Sequence, residues 1–196
     1  MPGDNLRRND SRMLVIGHSG MAGSALIKRL KAMGCKRVLT MPAPYLVRQD
    51  SCERFFRRNR PDNIFFMDVK SGGIIANSTR PAEFLYHNML ADINVIHSAY
   101  KAGVKKLIFM ASSCSYPKEC LQPMKEEYIL SGPLEPTSEA FAVAKIAGIK
   151  MCQYYNNQYG TDFVCVIPAT VYGPGDDFDL KASHVIPALV RKLHTA

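Results

Sequence analysis

MLVIGHSGMAGSALIKRLKAMGC, residues 13–35, is the stretch that decides the fold. Met13 to Ile16 is a short apolar run, Gly17, Gly20 and Gly23 follow at three-residue intervals, and Leu26, Ile27, Leu30 and Met33 then recur at helical spacing. The order predicts strand, tight turn and helix. In such a turn the first glycine makes the bend and the second lets a pyrophosphate approach main-chain N–H groups at the helix N-terminus. The third lets helix and strand pack closely. Three glycines alone are a weak signal; their place between a strand and a helix makes them a dinucleotide-binding expectation. The choice of dinucleotide stays open. An acidic residue at the end of the second strand would favour NAD and a nearby arginine NADP. LTMPAPYLVRQD, residues 39–50, has neither at the strand end, and Arg48 lies several residues on.

Outward from this unit the same alternation continues. Lys36–Thr40, Asn63–Met67, Lys105–Met110 and Asp162–Ile167 read as further strands. SCERFFRRNR (residues 51–60), Pro81–Ala102, Thr137–Tyr159 and Ser183–Leu193 read as helices, the second opened by proline and the third capped by Ser138 or Thr137. A polar loop with Gly72 and Gly73 follows the third strand, and turn residues crowd the region from Pro117 to Pro136. Strands alternating with helices predict a doubly wound, Rossmann-like α/β domain with a parallel sheet.

Composition agrees. The chain of 196 residues is 47% hydrophobic and 21% charged, which excludes a disordered tail, a collagen-like repeat and a disulfide mini-scaffold. Residues 1–12 read as a flexible leader and 13–196 as one NAD(P)-binding domain. The leader is polar, unlike a secretory signal, and no apolar run approaches the ~20 residues of a membrane span; a cytosolic protein without membrane partner is expected. Cys35, Cys52, Cys114, Cys120, Cys152 and Cys165 form no CxxC pair, which argues against structural zinc and a disulfide framework. The formal net charge of +8 gathers chiefly at Arg54, Arg57, Arg58 and Arg60. No nucleic-acid-binding motif accompanies them, so they read as a solvated helix face.

Several longer blocks carry more. GHSGMAGSA (17–25), SGGIIANSTRPAEFLYHNM (71–89), SSCSYPKECLQPMKE (112–126), LEPTSEAFAVAKIAGIKMC (134–152) and IPATVYGPGDDFDLKASHVIPALVRK (167–192) together resemble the GDP-L-fucose synthases. These are extended short-chain dehydrogenase/reductases acting as GDP-4-keto-6-deoxy-mannose 3,5-epimerases and 4-reductases. The resemblance implies NADP(H), a GDP-sugar substrate and a homodimer built on the helices from Pro81 and Thr137. It places the reductase serine at Ser112, the lysine of Tyr-x-x-x-Lys at Lys145, and the epimerisation acid/base pair at Cys114 and His184. Cofactor contacts then fall on Gly17, His18, Ser19, Gly20, Met21, Ala22 and Gly23. Others fall on Met110, Ala111, Ser112 and Ser113, on Lys145, on Pro168, Ala169, Thr170 and Val171, and on His184. Lys192 takes a substrate-binding position, and no metal is implied. Chemistry suits these roles: a serine hydroxyl orients a ketone oxygen, a lysine lowers a phenol's pKa, and a thiol and an imidazole can serve as acid and base on opposite faces of a sugar carbon.

The departures matter as much. Phe141 stands where the resemblance puts the proton-donating tyrosine, and no tyrosine of the chain has lysine four residues on. Ser19 replaces an arginine that helps hold a 2′-phosphate; Met67, Asp68 and Val69 replace small alanines beside the cofactor. Ala169-Thr170 and Gly175-Asp176-Asp177 replace Thr-Asn and His-Asp-Asn, and Lys192 replaces an arginine, losing its bidentate fork. The family continues into a smaller C-terminal substrate domain that is missing or truncated here. The expected function is therefore an NADP(H)-dependent epimerase with a crippled reductase. The alternative is a non-catalytic nucleotide- or partner-binding relative.

Overall fold

Alternate residues of the first strand, β1 (Arg12–Ile16), face opposite sides, and both sides are apolar. Met13 and Val15 on one side and Leu14 and Ile16 on the other are all buried. Such a strand needs cover on both faces, as in the middle of a parallel sheet. The computed structural model, which describes residues 10–67, 70–180 and 183–195, shows that arrangement. After β1 come α1 (Met21–Ala32), β2 (Arg37–Thr40), α2 (Gln49–Asn59), β3 (Asn63–Phe66), α3 (Ile74–Thr79) and α4 (Pro81–Lys101). Then follow β4 (Lys106–Met110), α5 (Glu139–Tyr159), β5 (Phe163–Val166) and α6 (Val185–Thr195). The strands form one five-stranded sheet in the order β2-β1-β3-β4-β5, every pair parallel.

On one face Met13, Val15 and Leu30 pack with Leu26 and Ile27 of α1. On the other, Leu14, Ile16, Ile64, Phe66, Leu107 and Phe109 meet Phe56 of α2, Val95 and Ile96 of α4, and Ile149 and Cys152 of α5. Helix α5 settles onto β4 because Gly148 has no side chain: a Cβ there would lie 2.4 Å from Phe109 Cζ. Strand order reverses between β1 and β3, so the crevice that accepts a ligand in such sheets lies beyond the carboxyl ends of those two strands.

The elements read from the sequence are present with ends shifted by one or two residues, and four details differ. Arg12 is the first residue of β1 and not the last of a leader, because its N–H bonds to Asp62 at the head of β3. Met33 is exposed, since it ends α1 at the C-cap. Ser138 occupies the N-cap of α5 without a side-chain cap bond. Within the supposed loop after β3 stands the short α3, steadied by Asn77 Nδ2 on the Gly72 and Gly73 carbonyls. Residues 1–9 of the expected leader, and Asp68 and Val69, lie outside the described residues.

Candidate nucleotide and active site

The glycine turn forms a cradle. Gly17 leaves β1 with φ +84°, a conformation that favours glycine, and its carbonyl accepts from the Gly20 N–H at 3.2 Å. A Cβ on Gly23 would lie 2.1 Å from Gly17 O and 2.7 Å from Gly17 C, so α1 can approach the turn only because that atom is missing. Gly20 caps α1 in extended conformation; no side chain caps this end and no acidic residue stands in its first turn. The first N–H groups of a helix lack intrahelical acceptors and carry positive potential, so this end is open to an anion. His18 Nδ1 is buried here without a hydrogen-bond partner. The donors and the missing Cβ fit a dinucleotide pyrophosphate.

The loop after β5 reaches the same place. At Gly173 a Cβ would come within 3.7 Å of Met21 Sδ. Pro168 is partly buried in this loop, while Ala169, Thr170 and Val171 are exposed. At the end of β4, Met110 is half-buried and the Ala111 N–H donates to Val166 O, tying β4 to β5. Ser113 is exposed, and Ser19 lies exposed on the cradle.

Beyond β4 the chain turns through Ser113–Ser115, where Ser112 Oγ accepts from the Cys114 N–H at 3.2 Å. That bond uses an acceptor site on the hydroxyl and leaves its proton to donate. Cys114 is half-buried and packs against a small cluster of Ala76, Phe84 and Phe141. Phe141 is 7% exposed, its ring absorbed into this packing. Ser112, Cys114 and Phe141 therefore converge around the turn after β4.

Lys145 follows one helical turn later and is fully buried. Its Nζ donates to both oxygens of Asp92 on α4, at 3.0 and 3.2 Å. The ammonium lies 4.8 Å from the centroid of Phe109 and 5.7 Å from that of Phe66. Asp92 is the residue the sequence reading missed. Its signal was an acid at the centre of the α4 run Phe84, Asn88, Ala91, Val95 and Ala99, all of which are buried.

The remaining residues take more open positions. His184 is exposed one residue before α6, its carbonyl accepting from the Ala188 N–H. Lys192 is exposed on α6. Its neighbour Arg191 ties α6 to the preceding loop through a 2.9 Å bond from Nη1 to Phe178 O. Among the described residues no group of three or more acidic, histidine or cysteine side chains could hold a metal, and no helix is long and apolar enough to cross a membrane.

Residues 13–196 match the NAD dependent epimerase/dehydratase family. The chain belongs to it. Within this epimerase/dehydratase family it is a homologue of the GDP-L-fucose synthases. It is 48% identical over 186 residues to a GDP-L-fucose synthase from Sinorhizobium fredii, covering 94% of this chain and 59% of the relative. It is 46% identical over 187 residues to the one from Escherichia coli, covering 94% and 58%. Among solved structures, a GDP-mannoheptose C4 reductase from Campylobacter jejuni with NADP bound superposes with a TM-score of 0.89 at 38% identity. That match covers 96% of this chain and 56% of the reductase. The chain thus spans under two thirds of each relative's length.

Proposed function

We propose that this chain is the cofactor-binding part of an NADP(H)-dependent epimerase/reductase acting on a GDP-4-keto-6-deoxy-hexose, of the GDP-4-keto-6-deoxy-mannose type. The observation that carries the reading is the Gly17–Gly23 cradle, closed by the missing Cβ of Gly23, at the same carboxyl edge of the parallel sheet as Ser112 and Cys114, which follow β4. Met21, Ala22 and Gly23 would present their N–H groups to the pyrophosphate, and NADP(H), when bound, supplies hydride. Ser112 keeps its hydroxyl proton for the C4 oxygen of the sugar. Cys114, at the mouth of the same turn, is one partner of the acid/base pair that inverts carbons flanking the ketone, and His184 is the other. Lys192 holds a substrate phosphate from α6. The chain assembles into a homodimer through the outer faces of α4 and α5.

Phe141 keeps the packing of the family's tyrosine and lacks its proton. Loss of the principal general acid costs about 10²–10⁴-fold in rate, so reduction proceeds slowly with Ser112 or water as donor. Epimerisation needs no such group. A second reading, a nucleotide- or partner-binding relative without catalysis, is favoured by Phe141 being packed against Phe84 and Ala76 and by Lys145 being held by Asp92. Titration of the folded chain with NADPH, read by nucleotide fluorescence with NADH alongside, tests the cofactor site. Saturable binding with preference for NADPH is expected. Absence of binding to either nucleotide overturns the enzyme reading.

A further inference from the structure

We propose that Asp92 is a positioning residue that takes Lys145 out of reductase chemistry, so that two separable defects, and not Phe141 alone, disable the phenol–lysine proton relay of positions 141 and 145. The proposal rests on reading Phe141 and Lys145 as the tyrosine and lysine positions of the site. A lysine at this position acts through its charge: an ammonium one helical turn from a phenol stabilises the phenolate. Here the charge is cancelled at source. Both carboxylate oxygens of Asp92 lie within 3.2 Å of Nζ, and the two side chains are 0% and 2% exposed, so neither water nor salt screens them apart. To a third group on the same face of α5, an ammonium so paired presents a dipole, whose influence falls off faster than that of a charge.

The surroundings hold the pair in place. Gly148 stands one turn beyond Lys145 on α5, and a Cβ there would lie 3.2 Å from Asp92 Oδ2, so the gap above the glycine houses the carboxylate. Phe109 and Phe66 offer ring faces to the ammonium. Cys152 of α5 and Cys165 of β5 lie near Asp92, and Cys114 packs at Phe141. None supplies a second positive charge. A phenol placed at position 141 by substitution alone would meet burial without a net cation, and burial raises a phenol's pKa.

The test is a spectroscopic titration of the introduced phenol, made without cofactor or substrate, as the tyrosinate difference spectrum of Phe141→Tyr against the parent. In Phe141→Tyr the additional phenol is expected to ionise at or above the ordinary ~10. In Phe141→Tyr/Asp92→Asn the ammonium loses its counter-ion, and the phenol is expected at about 9 or lower. Phe141→Tyr/Asp92→Glu, which keeps a carboxylate, is expected to behave as Phe141→Tyr alone. A phenol ionising well below 10 in Phe141→Tyr overturns the proposal, because Lys145 would then act despite Asp92. So does an Asp92→Asn titration that matches the single variant, or an Asp92→Glu titration that follows Asp92→Asn. Phe141→Tyr adds one oxygen to an existing ring and decides the matter by itself should Asp92→Asn fail to fold. Failure of NADPH binding leaves these titrations standing, so the two readings fail separately.

Discussion

A methyl group on Gly23 would lie 2.1 Å from Gly17 O and 3.0 Å from His18 Cα, contacts with backbone that cannot swing aside. Gly23→Ala should therefore push α1 away from the turn at an overpacking cost of about 1–3 kcal/mol. It should lower NADPH affinity about tenfold or more, read by fluorescence titration alongside circular dichroism to verify folding. Unchanged affinity would mean the nucleotide sits elsewhere. This residue was legible because its constraint is local, a bend and a close approach within seven positions. Phe141 is read in the same local way, from its four-residue spacing to Lys145. Asp92 is not. Its role depends on how α4 crosses α5, and 53 residues separate it from the lysine it binds.

At the scale of elements, one carboxylate ties three strands together at their amino ends. Asp62, just ahead of β3, accepts from the Arg12 N–H at 2.9 Å, and its other oxygen lies 3.0 Å from Lys105 Nζ, just ahead of β4. Burial pushes its pKa upward, but the Arg12 N–H and the Lys105 ammonium outweigh burial and hold the carboxyl below its ordinary value. A depressed folded pKa adds stability above the unfolded value of ~3.9, and this is lost as pH falls through the folded one. Asp62→Ala should cost about 1–2 kcal/mol at pH 7, and the gap to the parent should narrow as the pH drops below about 4. Urea unfolding at pH 7 and pH 3 measures both; a gap constant across that range would assign the loss to packing and not to charge. The strands and long helices were readable because apolar runs and helical stripes are local patterns. Helix α3 was not, since Ile74–Thr79 has no buried stripe to announce it: Ile74 and Ile75 are exposed, and Ser78 and Thr79 turn their hydroxyls back onto its carbonyls. It is fixed instead by Asn77 and by packing against α4.

At the scale of the whole molecule, the proposed homodimer has two candidate sets of exposed apolar side chains. Tyr86 and Ile93 on α4, with Val143 and Tyr154 on α5, are exposed at helical spacings of seven and eleven residues, so each pair lies on one stripe. The other exposed apolar side chains are Val164 and Val166 on β5, which among the described residues pairs only with β4, and, separately, Val185, Leu189, Val190 and Leu193 on α6. The first stripe runs along two 21-residue helices already packed on each other, each about 30 Å long. That is a rigid template for a symmetric four-helix contact. Strand β5 spans four residues and presents too short an edge for a strong ladder; α6 offers scattered side chains, with Leu193 80% exposed. A defined dimer should therefore depend on α4 and α5, and indiscriminate stickiness on α6. Sedimentation velocity over a range of concentrations separates them. Tyr86→Glu/Tyr154→Glu should convert a dimer into a monomer while leaving NADPH affinity within about twofold, because single exposed substitutions disturb the fold little. Leu189→Lys/Leu193→Lys should leave the dimer intact and reduce binding of a hydrophobic dye. If the α6 variant dissociates the dimer and the tyrosine variant does not, the contact lies on α6. The outer faces of α4 and α5 would then be free to receive a different protein.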